Sequence, residues 1–432
     1  MKEASFIIAA AEQAELEQCL QVLEQEFAQQ EIEVIVVEAA SRSYAAAFND
    51  GARQAESDTL LFMRAAGIFF LPVYRQLRKC LWQDDKIAAV GPLTNQSFYG
   101  QTLCTEDYED YQELRSFCYN LCEEAQVVSP TMRLQDFCLM VKRSAYQQVG
   151  GFDERFTGAS YMADADLCLR LIKNGGQPVR VNNAYVYQNS IHEDSNAEIQ
   201  IENYRAGREQ FVTKWDIRPE YSFFVRQELL QFVPMNQEQL CVLEAGCACG
   251  SNLMTIKYQN PASELYGIEL EEAAASIASQ YAQIYNLDLE GFSTESWQDK
   301  FDVVIMGDIL EHLRDPWKTV ARMYNILKPG GKIIISVPNI THVSIFRRML
   351  AGHWDYEDAG ILDRTHLRFF ARAEVLSLLE NAGFMVSDIG YTQTALTDKD
   401  RALLPTLTAM LEQTADPGQL KAYQWVAVAV KR

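Results

Sequence analysis

The residues with the clearest chemical meaning are Glu244-Ala245-Gly246-Cys247-Ala248-Cys249-Gly250, which follow the apolar run Gln239-Leu240-Cys241-Val242-Leu243. A strand that breaks into a small-residue turn and then a helix lets backbone N–H groups approach a bound ligand closely. On its own such a turn says little. A second apolar run, Glu264-Leu265-Tyr266-Gly267-Ile268-Glu269, ends in a carboxylate about twenty residues past Gly250, the separation that suits a ribose diol. A third, Phe301-Asp302-Val303-Val304-Ile305-Met306-Gly307-Asp308, also delivers an acid at its end. Three strands bringing acids to one sheet edge describe a nucleoside-binding crevice. Asp308, Glu311 and His312 then stand at i, i+3 and i+4, a spacing that could converge in one turn at the start of a helix. His366 suits a general base for a hydroxyl, because its ordinary pKa lies near neutrality. A hydrogen-bonded structural histidine is the alternative.

These groups need a layered α/β scaffold. The apolar pattern predicts strands at 5–10, 34–37, 59–63 and 87–90, with helical spacing at Leu16, Cys19, Leu20, Leu23 and Phe27 and again over 44–55. The run 34–37 reads as a buried strand, and Pro72 opens the following helix. The alternation implies an open, largely parallel sheet covered on both faces. Residues 95–129 are irregular, acidic and tyrosine-rich, and are expected to form a loop or insertion, although Cys118 and Cys122 would share a helix face. Phe223, Phe224, Gln227, Leu230 and Gln231 suggest one helix leading into the second half, and the apolar alternation over 423–430 a final strand.

The second half carries a resemblance. The turn is not a full G-x-G-x-x-G, and Ala248 takes a usual glycine position. Together with Asp308-Ile309-Leu310-Glu311-His312-Leu313, Leu327-Lys328-Pro329-Gly330-Gly331 and Ile335-Ser336-Val337-Pro338-Asn339, it resembles a class I S-adenosylmethionine-dependent methyltransferase. The run Leu362-Asp363-Arg364-Thr365-His366-Leu367-Arg368-Phe369-Phe370 resembles a subgroup found beside sugar-modifying enzymes. The resemblance implies a Rossmann-like seven-stranded sheet over residues 219–432. Glu244, Gly246, Cys247, Ala248 and Gly250 would form the cofactor turn, Glu269 and Leu270 would meet the ribose, Asp288 and Leu289 the adenine, and Asp308 the methionine portion. In similar O-methyltransferases of quinone biosynthesis an acid-x-x-Glu-His arrangement can hold magnesium beside the acceptor oxygen. The preferred alternative is that Glu311 and His312 cap and pack a helix, so the need for a divalent metal stays open and no metal ligand is assigned. His312, His366 and Asp308 are the catalytic candidates, and 341–363, with Phe346, Trp354 and Tyr356, is expected to cover the substrate.

Residues 1–218 resemble GT-A-fold, nucleotide-sugar-dependent inverting glycosyltransferases. The stretches that carry this are 34–41, Asn49-Asp50-Gly51, Gly91-Pro92-Leu93-Thr94-Asn95, 149–156 and Asp164-Ala165-Asp166-Leu167-Cys168-Leu169-Arg170-Leu171. The resemblance makes Asp164 the candidate base, with Asp166 beside it, and Glu38 and Arg64 the candidate nucleotide-sugar contacts. The family's acidic metal motif is absent, since 60–63 runs into Arg64-Ala65-Ala66-Gly67, and Gln188 replaces an expected histidine, with His192 four residues on. Without anionic ligands a hard cation has little to hold it. A degenerate domain that binds a glycan or scaffolds its neighbour is the leading expectation. The rival has Arg64 pairing with a diphosphate directly, and a third reading leaves Arg64 solvated.

A chain of 432 residues suits two domains. A formal net charge of −21 argues against nucleic acid and against docking on anionic membranes. No transmembrane run or signal peptide is read, which leads to an expected cytoplasmic location, and the ten cysteines are read as reduced thiols. The expected activity is O-methylation of a sugar hydroxyl in assembly of a surface polysaccharide or protein-linked glycan. The alternatives are a bifunctional enzyme that also uses a nucleotide sugar, a methyltransferase of a small phenolic or lipid acceptor, and a non-enzymatic glycan-binding scaffold.

Overall fold

A computed structural model describes residues 2–40, 42–97, 100–103, 108, 110–156, 161–189, 197–293, 295–411 and 416–432. The chain divides into two compact units, Met1–Phe224 and Val225–Arg432. Among the described residues, no helix is long and apolar enough to cross a membrane.

In the first unit β1 (Ala4–Ala10) is buried throughout and lies between β2 (Ile32–Glu38) and β3 (Thr59–Arg64), parallel to both. Helices Gln13–Phe27 and Tyr44–Gln54 make the two crossovers. A Cβ on Gly51 would lie 2.2 Å from a methyl of Ile7, so the second helix seats on β1 only through glycine. Then come β4 (Gly67–Ile68), β5 (Ile87–Leu93), β6 (Val128–Pro130), β7 (Cys138–Lys142), β8 (Gln177–Tyr185) and β9 (Tyr187–Gln188). The large sheet has the order β2-β1-β3-β7-β5-β8-β6, and β4 pairs with β9.

Three expectations are corrected. The sheet is mixed, because β7 runs antiparallel to both β3 and β5. The run 138–142 is buried at every position, and such a run carries no sign of its direction. β2 is an edge strand with Val34 and Val36 41% and 44% exposed, while Ile35 and Val37 point inward. Within 95–129 the chain forms the helix Tyr111–Glu123, started by the Asp110 carboxylate, which accepts the Gln112 and Glu113 N–H groups at 2.8 and 2.9 Å. Cys118 and Cys122 do share its buried face with Leu114.

The second unit holds β10 (Cys241–Ala245), β11 (Glu264–Glu269), β12 (Gln283–Asn286), β13 (Phe301–Gly307), β14 (Leu327–Pro338), β15 (Phe384–Thr392) and β16 (Gln424–Lys431). Their order is β12-β11-β10-β13-β14-β16-β15. The first five are parallel; β16 runs antiparallel to β14 and to β15. Strand alternation divides the core between two faces. Met306, Ile333, Ile335 and Trp425 pack on one, and Val303, Ile305, Ile334 and Val428 on the other. The carboxyl ends of β10, β11 and β13 therefore meet at one edge. The expected single helix ahead of this sheet is instead two one-turn helices, Pro219–Ser222 and Gln227–Leu230.

Candidate functional site

The turn after β10 is built from left-handed backbone. Gly246, Ala248 and Gly250 have φ of 72°, 47° and 80°, a region that side chains with a Cβ enter at a cost. A Cβ on Gly246 would meet the Ile309 side chain at 2.9 Å, and one on Gly250 would meet Ala278 Cβ at 3.0 Å. The Ala248 N–H donates to Glu269 Oε2 at 2.7 Å, and the Glu271 N–H donates to Oε1 at 2.9 Å. Turn and strand end are thus tied through one carboxylate. Asn286 Nδ2 donates to the Glu269 and Leu270 carbonyls at 2.9 and 2.8 Å, fixing the exposed Leu270 backbone. Leu289 is buried, and Asp288 Oδ1 accepts the Glu290 N–H at 2.9 Å.

Glu244 lies buried beneath the turn. Its Oε1 accepts Asn252 Nδ2 at 2.6 Å, while Oε2 has no hydrogen-bond partner. Burial pushes its pKa up to about 8, against the lowering effects of Asn252 and Arg226. Cys247 and Cys249 are buried and in no disulfide, as are the other described cysteines.

Asp308, Glu311 and His312 do not form the expected single helical turn. Asp308 has φ 51°, and the next residues form a 3₁₀ turn, Leu310–His312. This reversal leaves the Asp308 carboxylate hydrogen-bonded and the Glu311 carboxylate without a hydrogen-bond partner. Asp308 Oδ2 accepts Arg226 Nη1 at 2.8 Å and Gln424 Nε2 at 2.6 Å, and Oδ1 accepts the Ser336 hydroxyl at 2.7 Å. Arg226 also pairs with Glu228 and donates to Ser336 Oγ at 3.1 Å. The reading from sequence missed Arg226, Ser336 and Gln424. They arrive from three distant segments, and no spacing in the chain links them.

Glu311, His312 and His366 are brought together instead, with one potential ligand atom of each lying within 4.8 Å of the others. The two imidazole rings meet edge to face at 4.8 Å between centroids. Glu311 is 1% exposed, and neither carboxylate oxygen has a hydrogen-bond partner. Burial, and then the charge of Asp308, drives its pKa well above the usual carboxylate range. Its backbone carbonyl accepts the Leu367 and Arg368 N–H groups at 2.8 and 3.0 Å, which docks the His366 loop. Burial and the neighbouring His366 lower the pKa of His312. Within 341–363 the chain forms the helix Val343–Leu350; Trp354 and Tyr356 are exposed, and Trp354 meets Phe369 edge to face at 5.7 Å.

In the first unit Asp164, Asp166 and Arg64 are each engaged by a neighbouring side chain. Asp164 is 3% exposed and its Oδ2 accepts Arg133 Nε and Nη2 at 3.1 and 2.9 Å. Asp166 is held by Arg170 at 2.9 and 2.7 Å and by Trp215 Nε1 at 2.9 Å. Arg64 closes β3, donates to Asp136 at 2.7 Å and lies over the Tyr44 ring at 4.1 Å, so the solvated reading of Arg64 is corrected. Glu38 is exposed at the end of β2. The Gln188 side chain donates to Thr94 Oγ1 at 3.0 Å and to the Gln96 carbonyl at 2.8 Å. His192 and Cys104 lie outside the described residues.

With this geometry in place, residues 218–388 match the family model described as a methyltransferase domain, while the N-terminal unit has no family assignment. The C-terminal part is a class I S-adenosylmethionine-dependent methyltransferase domain, and S-adenosylmethionine is its cofactor. It is similar to a ubiquinone biosynthesis O-methyltransferase of Shewanella sp., 22% identical over 163 residues, covering 36% of this chain and 68% of that protein. It is also similar to a probable S-adenosylmethionine-dependent methyltransferase of Mycolicibacterium smegmatis, 31% identical over 149 residues, covering 34% of this chain and 52% of the relative. A methyltransferase structure from Archaeoglobus fulgidus aligns with a TM-score of 0.35 at 16% identity, covering 51% of this chain and 98% of that one. The residues of the site fit the cofactor. The unpartnered Glu244 oxygen offers an acceptor under the turn, and Glu269 presents a carboxylate at the strand end.

Proposed function

We propose that this protein O-methylates a hydroxyl acceptor, and that the acceptor is a sugar in surface polysaccharide or protein glycan assembly. Bound S-adenosylmethionine supplies a methyl group on a sulfonium, so the chain must align the acceptor and keep water out. In this reading Gly246, Ala248 and Gly250 shape the turn that receives the methionine end, and Glu269 takes the ribose hydroxyls. The observation that carries the hydroxyl reading is the convergence of Glu311, His312 and His366 next to the Asp308 edge. An acceptor hydroxyl must lose its proton, and this cluster provides the groups to assist that loss. Exposed Trp354 and Tyr356 suit the apolar face of a sugar ring.

The sugar assignment leans on the N-terminal likeness to a glycosyltransferase. The buried Arg133–Asp164 pair and the Arg64–Asp136 pair support a retired transferase domain, since each candidate group already has a protein partner. A second reading, methylation of a small phenolic acceptor, draws on the likeness to the Shewanella ubiquinone biosynthesis O-methyltransferase. Calorimetric titration with S-adenosylmethionine tests the first step. Binding should weaken roughly 100-fold in Glu269→Ala, the scale of a lost charged hydrogen bond. A methyl-transfer assay offering glycans and catechols then separates the acceptors; transfer to catechols alone would reject the sugar assignment.

A further inference from the structure

We propose that the first unit holds a binding site for a phosphorylated sugar, in a cavity at the end of its sheet opposite Arg64.

The cavity has a volume of about 490 Å³, and Arg53, Leu60, Arg143, Gln147, Phe152 and Glu154 are among its lining residues. Small-molecule sites fall between roughly 300 and 1,000 Å³. Strands β3 and β7 fix its place. They run antiparallel, with Met63 beside Cys138 at one end and Thr59 beside Lys142 at the other. Arg64 and its partner Asp136 belong to the first end, and the charge of Asp164 acts on Asp136 there. Leu60 and Arg143 belong to the second, where the Arg143 N–H donates to the Asp58 carbonyl at 2.9 Å. The cavity is therefore separate from the candidate nucleotide-sugar contacts.

Its wall is held by one amide. Asn49 Nδ2 donates to the Phe152 carbonyl and to Glu154 Oε1 at 2.9 and 2.8 Å. Its Oδ1 accepts the Phe152 N–H at 2.9 Å and also the Tyr146 hydroxyl. A Cβ on Gly151 would lie 2.6 Å from Asn49 Oδ1, whereas one on Gly150 would meet nothing within 4 Å. The second glycine closes the clasp, and the first borders open space.

Charge selects the ligand. Arg53 pairs with Asp50 and stands 4.0 Å from Glu154, and Arg42 pairs with Asp50 as well. The Arg143 side chain has no hydrogen-bond or ion-pair partner among the described residues. Arg42, Arg53 and Arg143 thus outnumber Asp50 and Glu154, a local positive excess in a chain of formal net charge −21. Guanidinium groups bind phosphate oxygens two at a time. Glu154 accepts from hydroxyls, and the Gln147 amide both donates and accepts. Leu60 and the Phe152 and Tyr146 rings give an apolar surface for a pyranose face. Inorganic phosphate would use only the arginines, and a neutral sugar only the other groups; a phosphorylated sugar uses both. The site belongs to the first unit alone and owes nothing to the methyl-transfer reading.

The test is calorimetric titration of the full chain with glucose 6-phosphate, beside inorganic phosphate and glucose. We expect glucose 6-phosphate to saturate at one equivalent, inorganic phosphate to bind about 10-fold more weakly or less, and glucose to give no saturable heat. Arg143→Met should weaken glucose 6-phosphate binding roughly 10- to 100-fold, the scale of a lost charged hydrogen bond. Arg75→Met removes the same charge from an exposed position of the helix Leu71–Trp82 and should leave binding within about two-fold. Gln147→Leu should narrow the gap between glucose 6-phosphate and inorganic phosphate. An unchanged thermal unfolding transition reports that each variant is folded. Absence of saturable glucose 6-phosphate binding to the folded chain, equal binding in Arg143→Met, or inorganic phosphate binding as tightly as the sugar phosphate would overturn the assignment.

Discussion

At the scale of single residues, the site depends on backbone that glycine tolerates and on a buried carboxyl, Glu244, with one unpartnered oxygen. Ala248 occupies φ 47°, where a Cβ costs roughly 1–2 kcal/mol, and glycine's greater freedom in the unfolded chain offsets much of that. Ala248→Gly is expected to change the unfolding free energy by less than about 1 kcal/mol, and Ala248→Val to lower it by about 2 kcal/mol; urea denaturation measures both. Glu244 gives a pH signature. Its pKa rises from 4.5 to about 8 on folding, so between those values the folded chain keeps a proton that the unfolded chain has lost. Its contribution to stability therefore falls as pH rises from 4.5 to about 8. In ligand-free protein, Glu244→Gln should gain on the wild type across that window by more than about 1 kcal/mol, and parallel stability curves for the two would contradict this. The turn and Glu269 were legible because strand, small-residue turn and acid follow one another at fixed separations. The grouping of His366 with Glu311 and His312 was not, since a long stretch of chain separates the motifs and only the loop docked on the Glu311 carbonyl joins them.

At the scale of elements, the sheet edge is held by ties that cross between strands. Arg226, ahead of β10, clasps Asp308 at the end of β13, while Gln424 at the start of β16 reaches the same oxygen. A double-mutant cycle with Arg226→Met and Asp308→Asn is expected to return a coupling energy of about 1–3 kcal/mol. A value near zero would mean that the pair is incidental. This clasp accounts for the break in the helix expected around 223–231: Arg226 turns toward Asp308, and Phe223 turns to meet Phe211 at 5.9 Å. Apolar periodicity identified most strands and helices, including β16, whose antiparallel direction came from the resemblance to the methyltransferase sheet. It failed for β2, whose edge position leaves Val34 and Val36 exposed, and for the helix Tyr111–Glu123, whose acidic and aromatic composition hides a narrow apolar face.

At the scale of the whole molecule, every residue of the cofactor turn and of the Glu311 cluster belongs to the second unit. Arg133→Met should therefore leave S-adenosylmethionine affinity unchanged while lowering the stability of the first unit by about 3–5 kcal/mol, because it strands the buried Asp164 charge. Calorimetric unfolding together with cofactor titration would show this, and loss of binding in the variant would reveal energetic dependence between the units. The formal charge of −21 sets the same expectation for the whole chain as it does for the sequence, weak affinity for polyanions at any salt concentration.

The place of β16 matters for how the second unit is made. It follows β14 and β15 in the chain yet lies between them, paired to both. During synthesis those two strands leave the ribosome with no partner for their facing edges until residues 424–431 emerge. A nascent chain stalled before that point carries two unpaired apolar edges, the substrate a chaperone or a protease would recognise.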